Sequence, residues 1–87
     1  MTVLYYGHVQ GVGFRYTAKT VATGFDVTGA IRNLPDGRVE LVAEGRRQEL
    51  DAFRAALHAA GLAGFIRDEK VDWADAKHEF QGFQIAR

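Results

Sequence analysis

The sequence predicts an α+β sandwich in which two helices cover one face of a mainly antiparallel sheet, in the order βαββαβ with an extra edge segment. Three observations predict it. Two stretches carry apolar residues at helical spacing, short alternating stretches flank them, and Leu34-Pro35-Asp36-Gly37 joins two of the latter as a tight hairpin.

Residues 3–9 are rich in β-branched and aromatic side chains and too short for a stable helix, so they read as a strand leading to the glycines at 11 and 13. From Phe14 the period changes. Phe14, Ala18, Val21 and Ala22 share one helical stripe, with Gly24 expected as a left-handed stop. Val27, Gly29 and Ile31 alternate with Thr28, Ala30 and Arg32 as a second strand, and Val39, Leu41 and Ala43 alternate with Arg38, Glu40 and Val42 as a third. Between them proline suits the first central position of a type I turn and glycine the positive-φ position that follows.

After Gly45, Leu50, Phe53, Leu57 and Ala60 recur at helical spacing up to a stop at Gly61. Segment 65–73 contains the charge run Arg67-Asp68-Glu69-Lys70. Val71 and Trp73 alternate as in a short edge strand, and the run reads as a solvated loop or a protected sheet edge. Phe83 and Ile85 mark a closing strand, with Gly82 as a candidate bulge.

The whole of residues 1–87 is read as one domain, because single cores occupy about 50 to 200 residues. A hydrophobic share of 47% makes that core feasible. The formal net charge is zero, which argues against a broad basic surface for nucleic acid, so any anion site must be local. Cysteine is absent, which removes disulfides, a thiolate nucleophile and zinc-thiolate chemistry. The start, Met1-Thr2-Val3-Leu4-Tyr5-Tyr6, lacks the basic and long apolar parts of a secretory signal, and every other apolar stretch is interrupted, so a soluble cytoplasmic protein without a membrane partner is expected.

Chemistry is expected at Gly7-His8-Val9-Gln10-Gly11-Val12-Gly13-Phe14-Arg15, between the first strand and the first helix. Glycines let backbone amides turn inward as an anion nest, the helix N-terminus behind them adds positive potential, and Arg15 offers a forked contact to two phosphate oxygens. By spacing alone the segment reads equally as a plain tight turn. It lacks the lysine-serine ending of a nucleotide P-loop and the glycine spacing of a dinucleotide site.

That same string resembles the first signature of the acylphosphatase family, and Gly29-Ala30-Ile31-Arg32-Asn33-Leu34-Pro35-Asp36-Gly37-Arg38-Val39-Glu40 resembles its second. The two occur in the family's order, and the resemblance covers nearly the whole chain. It implies a ferredoxin-like βαββαβ fold and hydrolysis of acyl phosphates to a carboxylate and inorganic phosphate. It further implies a cradle of Gln10, Gly11, Val12, Gly13, Phe14 and Arg15, with Arg15 binding the phosphate and Asn33 holding the attacking water. No metal and no cofactor is implied. The partners are then a small acyl phosphate and inorganic phosphate or a similar anion as product or inhibitor, for a monomer without nucleic acid. The family commonly has an aromatic residue where this chain has Ala30. Because residues 30 and 33 alternate across the strand, that departure is expected to alter packing more than chemistry.

Two other functions compete. A non-catalytic anion-binding or regulatory module would use the same cradle with badly placed water, and an RNA-binding module would use a related topology but needs aromatic strand motifs that are missing here. His8, His58 and His78 have no metal-ligand spacing and read as structural, with His8 close enough to the cradle to tune its potential. Asp36 and Glu40 read as turn and strand residues. Tyr5, Tyr6, Tyr16 and Trp73 read as packing or sheet-surface residues.

Overall fold

The computed structural model describes residues 1–86. Its elements are β1 (Thr2–Gly7), α1 (Phe14–Ala22), β2 (Val27–Asn33), β3 (Val39–Gly45), α2 (Arg47–Leu57), β4 (Ile66–Asp72) and β5 (Phe83–Ile85). The strands form one sheet in the order β4-β1-β3-β2-β5, antiparallel throughout except for β5, which runs parallel to β2. This is the expected two-helix, mainly antiparallel architecture. No helix among the described residues is long and apolar enough to cross a membrane.

Strand alternation and helical stripes meet in one core. Val3 and Tyr5 of β1, Ile31 of β2, and Val39, Leu41 and Ala43 of β3 are buried, as are Phe14, Ala18 and Ala22 of α1 and Leu50, Phe53 and Leu57 of α2. Each large apolar side chain withdrawn from water contributes about 1.5–3 kcal/mol. Phe53 lies at the centre, its ring 5.9 Å from Phe25 and 5.6 Å from Phe83, so α2 locks both the turn after α1 and the last strand. The Tyr5 hydroxyl is buried without a hydrogen-bond partner among the described residues, and burial, with the Glu69 carboxylate nearby, raises its pKa.

The hairpin follows its turn chemistry. Gly37 takes φ 96°, its amide donates to the Leu34 carbonyl at 3.1 Å, and the Leu34 amide donates to the Arg38 carbonyl at 2.8 Å. Asn33, paired with Val39, is therefore the last ladder residue of β2 before the turn. Asp36 accepts from the Arg38 amide and side chain, and Glu40 from Arg32 across the strands, which leaves both acids in the structural roles expected of them.

Several local expectations are corrected. Gly24 is not left-handed: α1 ends in tightened i→i−3 bonds from Thr23, Gly24 and Phe25, supplemented by the Thr23 hydroxyl on the Thr20 carbonyl at 2.6 Å. Ala60 is exposed, because α2 opens into a widened turn at His58–Leu62 kinked at Gly61 (φ 94°), and Leu62 takes the buried place instead. Gly82 (φ 68°) turns the chain into β5 without shifting the β2–β5 register. The charge run 67–70 belongs to the edge strand β4. There Arg67, Asp68 and Lys70 face solvent, while Glu69 turns inward to His58 Nε2 at 2.7 Å and Arg54 Nε at 3.9 Å.

Between β4 and β5 the chain crosses from one edge of the sheet to the other without regular structure. Trp73 at its start carries the Arg47 guanidinium 3.5 Å from its ring centre. Further on, the Glu44 carboxylate accepts the backbone amides of His78 (2.7 Å) and Glu79 (3.0 Å).

Candidate active site

The loop after β1 must pass from an extended strand into a helix within a few residues. Gly11 and Gly13 both take φ 77°, which a side chain would strain, and Gly13 caps α1 with its carbonyl accepting the Thr17 amide at 3.0 Å. Two buried side chains anchor the turn on either side. Val9 enters the core, and Phe14, 2% exposed, packs its ring 4.9 Å from that of Tyr5. Arg15 and Tyr16 are thereby held at the start of the helix, pointing away from the stripe that Phe14 begins.

A cleft of ≈ 270 Å³ opens at this point, lined by Val9, Gly11, Gly13, Phe14, Arg15, Tyr16 and Asn33. It brings together the glycine loop, the helix start and the end of β2, which the sequence separates. Among the described residues, no protein group accepts a hydrogen bond from the backbone amides of residues 10–16. The first turn of α1 contains no acidic side chain, so the positive end of its dipole is not neutralised there. The half-buried Arg15 guanidinium has no ion pair among the described residues. Asn33 Oδ1 is buried and has no hydrogen-bond partner among the described residues. Unpaired donors, an unpaired cation and an unpaired acceptor carried by residues around one cleft form an arrangement suited to an oxyanion and a water.

Of the expected cradle, Gly11, Gly13, Phe14 and Arg15 line the cleft with Asn33, whereas Gln10 and Val12 do not. Val12 is half-buried against the core. The Gln10 side chain reaches the hairpin, its Nε2 donating to the carbonyls of Leu34 (2.8 Å) and Arg38 (2.9 Å). Tyr16, expected as a packing or sheet-surface residue, stands 71% exposed on α1 at the cleft, directly after Arg15. His8 is exposed, and no group of three or more His, Asp or Glu side chains among the described residues is placed to hold a metal ion.

A family model described as Acylphosphatase matches residues 1–85. The chain belongs to the acylphosphatase family. Among acylphosphatase relatives, one from Salinibacter ruber is 42% identical over 81 residues, covering 93% of this chain and 85% of the relative. The crystal structure of the acylphosphatase from Bacillus subtilis aligns with a TM-score of 0.86 at 31% identity, over 99% of this chain and 96% of that one. A much longer chain is also similar: the crystal structure of T. kodakarensis HypF aligns with a TM-score of 0.83 at 25% identity, over 99% of this chain but only 11% of that one.

Proposed function

We infer that this chain is an acylphosphatase enzyme that hydrolyses the carboxyl-phosphate bond of small acyl phosphates. The observation that carries the reading is that Asn33 and Arg15, 18 positions apart in the sequence, line one cleft, with the Asn33 carboxamide oxygen and the Arg15 guanidinium both without a partner among the described residues. Relatives bearing the acylphosphatase name over more than nine-tenths of the chain favour catalysis over simple anion binding.

In this reading the amides of the 10–15 loop and the forked Arg15 contact hold the phosphoryl oxygens and balance their charge as the transition state spreads it. Asn33 Oδ1 accepts a hydrogen bond from a water and directs a lone pair at phosphorus. The new oxygen–phosphorus bond forms as the phosphorus–acyl oxygen bond breaks, and the electron pair of the latter leaves on the carboxylate. A carboxamide is too weak a base to take the proton, which passes to a phosphoryl oxygen of the substrate itself. The mixed anhydride already has a good leaving group, so positioning and charge balance suffice without a protein nucleophile.

The products are a carboxylate and inorganic phosphate, the latter also a competitive occupant of the cradle. The chain is further proposed to act as one domain and as a monomer, and its cysteine-free composition suits a reducing cytoplasm. Hydrolysis of a model acyl phosphate by wild type and by Asn33→Ala, without added metal, tests the reading. Turnover by the wild type and its loss in the variant is expected; equal turnover by both removes Asn33 from the mechanism, and none by either removes the enzyme.

A further inference from the structure

We propose that the Gln10 side chain is a positioning group that sets Asn33 against the bound phosphate, and is not itself a phosphate ligand. Its Nε2 donates to Leu34 O at 2.8 Å and to Arg38 O at 2.9 Å, the carbonyls on either side of the neck of the β2–β3 hairpin. Leu34 directly follows Asn33, and the same two carbonyls already close the turn by accepting the Gly37 and Leu34 amides. Among the described residues these two are the only side-chain hydrogen bonds between the loop and the hairpin.

The chemistry of the group fits that task. An amide nitrogen offers two donors in a fixed plane, matched here by two acceptors, so both of its protons are committed to the hairpin and neither is free for an anion. The loop and the helix start carry the cradle, β2 carries Asn33, and one carboxamide fixes the distance between them. A misplacement of about 1 Å in such an arrangement costs on the order of 100-fold in rate.

This inference rests on the proposed hydrolysis, and the test separates the two. Gln10→Ala, assayed with a small acyl phosphate and with inorganic phosphate as competitor, is expected to lower kcat about 10- to 100-fold. KM and the phosphate inhibition constant should stay within about threefold, since the cradle amides and Arg15 remain. Gln10→Glu presents a carboxylate to two carbonyl oxygens. Its turnover relative to Gln10→Ala should rise as the pH falls toward about 4.3 and the carboxyl regains an O–H donor, a recovery that a packing role does not produce.

If Gln10→Ala does not fold, Gln10→Met keeps the length without the donors and carries the same readouts. A phosphate inhibition constant that rises in step with the loss of kcat would make Gln10 a ligand and overturn the proposal. So would a kcat within twofold of wild type, or a flat Glu-to-Ala ratio across pH. A wild type that hydrolyses nothing would instead overturn the function itself.

Discussion

Tyr5 of β1 and Phe14 at the head of α1 stack at 4.9 Å between ring centres, tilted by 54°. The pair joins the centre of the sheet to the residue directly before Arg15, so core packing and site geometry share one contact. Phe14→Ala is therefore expected to destabilise the fold by about 3–5 kcal/mol through the cavity it leaves. Denaturant unfolding measures this, and a loss below about 1 kcal/mol would show that the helix start is held by something else.

Arg15→Lys is expected to lower kcat/KM by about 100- to 1,000-fold, because an ammonium cannot reproduce the two-pronged contact of a guanidinium. Stability should change little, since Arg15 has no ion pair among the described residues. Kinetics paired with a thermal melt check both halves, and near-wild-type activity would remove Arg15 from the site.

Glu44 ties the irregular crossing segment to β3. Its partial desolvation raises the pKa, but the backbone amides of His78, Glu79 and Lys77, with the His78 charge, outweigh this and hold the carboxyl below its ordinary 4.5. A folded-state pKa lower than the unfolded one means that the stabilisation is fully present above pH 4.5 and disappears as the pH falls through the folded value. Hydrogen exchange of the His78 and Glu79 amides should accelerate in Glu44→Gln at neutral pH, and wild type should approach the variant only in acid. Equal protection at neutral pH would contradict the tie.

Ala30 pairs with Val42 and Gln84 in the ladders, on the face of the sheet opposite to buried Ile31. Asn33 shares the Ile31 face. Ala30→Trp is thus expected to shift the melting temperature while leaving kcat/KM within about threefold. Activity far above wild type would show that the two faces are coupled.

The elements legible in the sequence are those whose cause is local. The Leu34–Gly37 turn, the Phe14/Ala18/Ala22 and Leu50/Phe53/Leu57 stripes and the alternation in β3 each depend on residues within a few positions of one another. Helix ends were less legible: Gly24 carried the sign of a left-handed stop, yet i→i−3 bonding closed α1 first, and the widened turn after α2 moved the buried position from Ala60 to Leu62. Family resemblance named Arg15 and Asn33, but not the exposed Tyr16 beside them.

By itself, the sequence determined the order of strands and helices, the hairpin turn and a glycine loop opening a helix, because backbone preference and side-chain period act between neighbours. Only the tertiary structure decided that β5 runs parallel to β2, that Glu69 turns inward, and that Gln10 bonds to carbonyls 24 and 28 residues away. Those choices depend on which surfaces the core brings together. A polar side chain bonds to whatever packing leaves within reach, and no local pattern encodes that distance.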